Sequence, residues 1–222
     1  MAPRLSSHLP LLDDHAFVLI LELTEQVARC HAHGIIHRDI KPSNILLMED
    51  GNARLIDFDV AAYRGARSTL PGYEDVRIGT LPYSAPEQIL DPATATYETA
   101  DIFSLGVVLY EMLTGRIPFP MTDDESEEEY RARLPFADPV PPRTYRPDLP
   151  AEIEAVILRA MARDPAARHQ SVAELREHLE AALRAAEPPP LHDAPLPRRE
   201  ILLWAGLGLA LAALLAWIFA GA

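Results

Sequence analysis

His37-Arg38-Asp39-Ile40-Lys41-Pro42-Ser43-Asn44 brings an imidazole, a guanidinium, a carboxylate, an ammonium and a carboxamide together in eight residues. Lys41 is the only lysine in the chain, the other 19 basic residues being arginine. Upstream, Ala16, Ile20, Leu23, Val27 and Cys30 recur at three- and four-residue steps, which predicts a helix over residues 14–33 that Gly34 stops. Downstream, two apolar runs at 44–48 and 53–56 flank Glu49-Asp50-Gly51-Asn52, and the Asp-Gly pair predicts a β-hairpin. Asp57-Phe58-Asp59 follows the second run directly. Further helical periodicity covers 99–113, 151–162 and 171–186, so the expected class is mainly α (α+β), with a small hairpin near the front.

The 222 residues carry 33 acidic and 20 basic side chains, a net charge of −13, which argues against binding nucleic acid. Cys30 is the single cysteine, so an intrachain disulfide or a Cys-rich zinc site is excluded and a reducing compartment is favoured. Residues 201–220 hold neither charge nor proline, and as a helix they span about 30 Å, the thickness of a bilayer's hydrocarbon core. Trp204 and Trp217 near the two ends, with Arg198 and Arg199 just before the run, predict a single transmembrane helix with its N-terminal side in the cytoplasm. The prolines of 187–200 read as a semi-rigid linker ending in a basic flank. The expected organisation is a domain over 1–186, the linker over 187–200 and a tail anchor over 201–220.

The opening octapeptide resembles the catalytic loop of protein kinases, and Asp57-Phe58-Asp59 stands where that family has Asp-Phe-Gly. Gly79-Thr80 and Ala85-Pro86-Glu87 resemble the end of the activation segment. Residues 101–119 (DIFSLGVVLYEMLTGRIPF) resemble the central helix of the large lobe, and Arg168 falls where that lobe has an arginine. Residues 10 to 183 share this likeness, and the order and spacing of the motifs identify a protein-kinase-like C-lobe of the Hanks type, with a lysine at 41 as in Ser/Thr kinases. The arginine, alanine and proline bias is that of a GC-rich bacterial gene.

The resemblance implies transfer of the γ-phosphoryl group of ATP to protein Ser/Thr hydroxyls, a reaction that needs charge neutralisation and alignment more than covalent chemistry. Asp39 would accept the hydroxyl proton and Lys41 would face the transferring phosphate, while Asn44 and Asp57 would supply oxygens to Mg2+. Glu87 would pair with Arg168, and Asp101 would hold the catalytic-loop backbone. Arg38 is placed to receive a phosphate from the segment between Asp57 and Glu87, where Ser68, Thr69 and Thr80 carry hydroxyls. His37 and Phe58 read as packing residues. The acidic run 123–129 reads as a solvated loop.

Two departures from the family pattern matter. Kinases carry a strand-rich lobe before this loop, with a Gly-rich cover and a strand lysine, yet only 36 residues precede His37 and the sole lysine is already in the loop. The N-lobe is therefore expected to lie outside this sequence, on a partner chain or in a longer gene. Asp59 replaces a glycine whose backbone freedom lets the segment move. Two functions follow: a membrane-anchored Ser/Thr kinase domain that needs its second lobe, or a catalytically inactive, pseudokinase-like binding module at the membrane.

Overall fold

A helix buried on every side organises the fold. In α3 (Glu98–Thr114) each residue from Ala100 to Tyr110 is buried, the pattern of a helix that lies inside a domain instead of on its surface. The computed structural model describes residues 3–7, 9, 13–65, 80–91 and 97–186. These belong to the first of two units into which the chain divides, Met1–Ala186.

Three amphipathic helices surround α3. α1 (Asp13–Ala32) packs on α3 and on α6 (Val172–Ala186), and α5 (Ala151–Ala160) packs on both α3 and α6. The buried stripe of α6, Val172, Leu175, Leu179 and Ala182, repeats at three- and four-residue steps. Gly106 brings α3 hard against α5, because a Cβ at that position would lie 2.9 Å from the Ala160 Cβ. α3 ends at Gly115, whose φ of 68° is the left-handed cap that glycine adopts without steric cost.

Four short strands form two antiparallel pairs. β2 (Ile45–Leu47) and β3 (Ala53–Leu55) make the expected hairpin with Leu46 opposite Arg54, and Gly51 takes a φ of 84° in its turn. The free edge of β3 is satisfied by α1 side chains. Glu22 accepts from the Ala53 amide at 2.7 Å, and Gln26 both donates to the Ala53 carbonyl at 2.7 Å and accepts from the Leu55 amide at 3.0 Å. The other pair, β1 (Ile35–Ile36) with β4 (Ala62–Tyr63), was not anticipated from the sequence, since two residues carry no period. Asn44 belongs to a 3-10 turn, Pro42–Asn44, and not to the strand expected from residue 44.

The acidic run is not a plain loop. Its second half opens α4 (Glu127–Arg133), with Ser126 and Glu129 forming a reciprocal capping box at the N-terminus and three glutamates in the first turn, where the helix dipole favours anions. A short α2 (Pro86–Leu90) precedes α3. The expected linker, the expected transmembrane helix, and Ser68 and Thr69 lie outside the described residues. Among the described residues no helix is long and apolar enough to cross a membrane.

Candidate active site

The loop after β1 is suspended from α3. Asp101, fully buried in the first turn of α3, accepts from the His37 amide at 2.9 Å and from the Arg38 amide at 2.8 Å, one carboxylate oxygen each. Gln88 of α2 donates to the Arg38 carbonyl at 2.8 Å, so Arg38 is held at both its amide and its carbonyl. These bonds sustain an unusual backbone. Arg38 (φ 69°) and Asp57 (φ 70°) are the non-glycine residues with left-handed φ among the described residues, and such strain persists only where the surroundings impose it, characteristically at functional sites.

Three side chains converge on Asp39. Lys41 Nζ lies 2.6 Å from Asp39 Oδ2 and donates to Thr80 Oγ1 at 2.7 Å; the Thr80 hydroxyl in turn donates to Asp39 Oδ1 at 3.2 Å. Asn44 Nδ2 donates to Asp39 Oδ2 and to the Asp39 carbonyl, both at 3.0 Å. The chain thus returns at Thr80 to close a ring of hydroxyl, ammonium and carboxylate. Asp39 and Lys41 remain 12% and 20% exposed at the side chain, which leaves the carboxylate in reach of a hydroxyl from solution.

His37 packs on Phe58 with ring centroids 4.5 Å apart, and Phe58 keeps an exposed edge. Burial pushes the His37 imidazole below its usual range, opposed by Asp101 and by a 3.3 Å bond between Nε2 and the Ile56 carbonyl; the ring is neutral at pH 7. Arg38 is 94% buried, since its exposure is 6%; its Nε donates to the Val60 carbonyl at 2.6 Å and its Nη1 has no partner among the described residues. Burial lowers its guanidinium below the ordinary value while the Asp101 charge raises it.

Glu87 and Arg168 meet through two parallel bonds, of 2.7 and 2.8 Å. The other three donors of the buried guanidinium go to the carbonyls of Ala162, Thr99 and Arg163, so all five N–H groups are used. Its plane lies over Phe103 at 5.0 Å. This arginine ties α2, α3 and the turn after α5 into one block under the loop.

A magnesium ion fits the donor set. The Asn44 amide nitrogen is committed to Asp39, and among the described residues nothing donates to its Oδ1; Asp57, exposed after β3, likewise has no protein partner among them. Two hard oxygens with no soft nitrogen or sulfur suit Mg2+. No group of three or more His, Cys, Asp or Glu that could hold a metal occurs among the described residues.

The family described as protein kinase domain matches residues 2–179. The chain belongs to that family. Its relatives are bacterial serine/threonine kinases of the Hanks type. It is 34% identical over 170 residues to serine/threonine-protein kinase PknB of Mycolicibacterium smegmatis, a match covering 77% of this chain and 26% of that protein. It is 35% identical over 178 residues to Pkn1 of Myxococcus xanthus (78% of this chain, 25% of that protein) and 34% identical over 176 residues to PrkC of Bacillus subtilis (79% and 26%). The chain spans about a quarter of the length of the curated relatives it matches.

Sequence reading did not single out several residues that shape this kinase site. Gln88 bonds the Arg38 carbonyl and His31 bonds Asp101, each from far away in sequence, so no local pattern marks them. Tyr83 donates to Glu111 at 2.6 Å behind Thr80, and burial raises both the phenol and the carboxyl above their usual ranges.

Proposed function

We propose that this chain carries the phosphate-transferring half of a membrane-anchored Ser/Thr protein kinase, taking ATP and a protein hydroxyl as substrates. The observation that carries the reading is the closed ring of Asp39, Lys41 and Thr80, with Asn44 bonded to its carboxylate. Asp39 orients the incoming hydroxyl and accepts its proton, because it is the partly exposed carboxylate of the ring. Lys41 pairs with that carboxylate at rest and presents its charge to the phosphoryl group being transferred. Asn44 and Asp57 would hold Mg2+, which supplies charge neutralisation at the phosphates when bound. Arg38, with one amino group unpartnered among the described residues, is the natural receiver of an anion from the segment before Thr80.

A cover for the nucleotide has to come from residues other than these 222, because Lys41 is the one lysine and the only G-x-G, at 206 to 208, lies in the apolar run. Positioning supplies most of the rate in phosphoryl transfer, so residues 1–222 alone bind Mg-ATP weakly and transfer nothing measurable. The apolar run 201–220 with its Arg198-Arg199 flank supports anchoring with the kinase unit in the cytoplasm.

The test is reconstitution. The full chain is assayed in detergent with Mg-ATP and a Ser/Thr-rich protein substrate, alone and with the strand-rich lobe of a relative fused ahead of Met1. The fusion phosphorylates the substrate and Asp39→Asn abolishes the signal. Failure of every fusion to transfer phosphate, with the protein folded, leaves the pseudokinase-like binding module, a reading that Asp59 in place of glycine favours.

A further inference from the structure

Behind the catalytic loop lies a line of charges that the proposed chemistry does not use. His31, in the last turn of α1 and 4% exposed, bonds Asp101 Oδ2 through Nε2 at 2.8 Å. Its other nitrogen, Nδ1, is buried without a hydrogen-bond partner among the described residues and faces Glu98 Oε2 at 3.8 Å. Glu98 precedes Asp101 by three residues on α3, so the two carboxylates share a helix face with the imidazole between them. The second oxygen of Glu98 accepts from Arg64 Nη2, which also donates to the His31 carbonyl at 2.6 Å and so caps the end of α1. Arg64 itself directly follows β4, and its amide donates to the Gly34 carbonyl at 2.7 Å. Cys30, His37 and Arg38 are further titratable groups that feel the charge of Asp101.

The line has a physical logic. Two carboxylates on adjacent turns repel each other, and both are largely withdrawn from water, Asp101 fully and Glu98 to 20% side-chain exposure. Arg64 neutralises the outer one and fixes its direction. Without that guanidinium, Glu98 gains by turning toward solvent, the imidazole loses the acceptor facing its Nδ1, and its alignment on Asp101 is no longer imposed. Asp101 is the group that holds the His37 and Arg38 amides.

We propose that Arg64, acting through Glu98 and His31, is a positioning residue for the catalytic loop. The backbone just beyond β4 and the Asp101 clamp then respond as one unit, and a change in the pairing of Arg64 is felt at His37 and Arg38. The coupling is a property of the folded chain and holds whether or not the loop transfers phosphate.

Amide hydrogen exchange of the full chain in detergent tests it. The rates at His37 and Arg38 are read against those at residues 105–109 in the middle of α3, which report opening of the whole unit. Arg64 is 47% exposed at the side chain, so Arg64→Met leaves the core intact. The expected result is exchange about five-fold faster at His37 and Arg38, the scale of one lost half-buried ion pair, with the α3 amides unchanged. Arg64→Lys restores most of the protection. Glu98→Ala produces the same acceleration, and Arg64→Met combined with Glu98→Ala is no worse than either alone, as members of one line require. Unchanged His37 and Arg38 rates in Arg64→Met overturn the proposal; so does acceleration shared equally by the α3 amides, or an additive double variant.

Discussion

Arg168 shows at the scale of one residue how a buried charge is made tolerable. Its five donors meet five acceptors, two of them on Glu87, and none of its side chain is exposed. Lysine would keep the charge but offers three donors from a single point, and so would abandon at least two buried oxygens. Arg168→Lys is expected to cost about 3 kcal/mol, in the range for breaking a buried pair. Chemical denaturation of the full chain in detergent reads this directly, and a loss below that of an ordinary surface substitution would show that the block is held elsewhere. Asp39, Lys41, Asn44 and Asp57 were legible because they fall in two short stretches whose residue types and spacing are themselves the signal. Gln88 and His31 were not, because each acts on a backbone group that lies close to it only after folding.

Among the elements, the long helices could be read and the short ones could not. The boundaries of α1, α3, α5 and α6 fall within about two residues of those expected from periodicity, since each is ten residues or longer and has one buried stripe or core. β1 and β4 are two residues each, and their pairing joins positions nearly thirty residues apart, so nothing local encodes it. α4 was missed for another reason. Its capping box, Ser126 to Glu129, stands in the sequence, but a run so dense in acid has the composition of a solvated loop. The contact of α3 with α5 gives a prediction at this scale. Gly106→Ala gains up to about 1 kcal/mol of helix propensity, yet its Cβ would sit 2.9 Å from a methyl group on a neighbouring helix and 3.0 Å from Met161 Cγ. The helices must part, and overpacking of this kind costs about 1–3 kcal/mol, so the variant is expected to melt at lower temperature than the wild type. A higher melting temperature would mean that α5 yields without loss.

For the whole molecule, acid is the expected weakness. His169 is fully buried between α5 and α6, its ring nitrogens have no partner among the described residues, and its ring stands edge-on to His178. Burial, reinforced by Arg159 and His178, pushes its imidazole down to about 4. The folded state therefore binds fewer protons than the unfolded chain between the ordinary histidine value of about 6.5 and about 4. Stability is full above the upper limit and falls as pH drops through that window, by roughly 2–3 kcal/mol from this one ring. Melting temperatures measured from pH 7.5 to pH 4.5 should fall more steeply for wild type than for His169→Phe, which carries no titrating ring; parallel curves would remove His169 as the cause.

The apolar run at 201–220 sets a second expectation for the whole chain. The full chain is expected in the membrane fraction, resistant to salt and released by detergent, and a chain ending at Pro197 is expected to lose that association. Full-length protein in the supernatant without detergent would refute the anchor.

The chain's membership of the protein kinase family, its helical class and the residues grouped at Asp39 were determined by the sequence itself, because catalytic chemistry concentrates in contiguous stretches and long helices repeat their pattern several times. Tertiary structure alone decided how those residues are held. The left-handed backbone at Arg38 and Asp57, the suspension of the loop from Asp101, the return of Thr80 to Lys41 and Asp39, and the line from Arg64 through Glu98 to His31 each join groups distant along the chain. Such contacts exist only once α1 and α3 have been packed by burial of their apolar faces, and that packing fixes which polar groups are left within reach of one another.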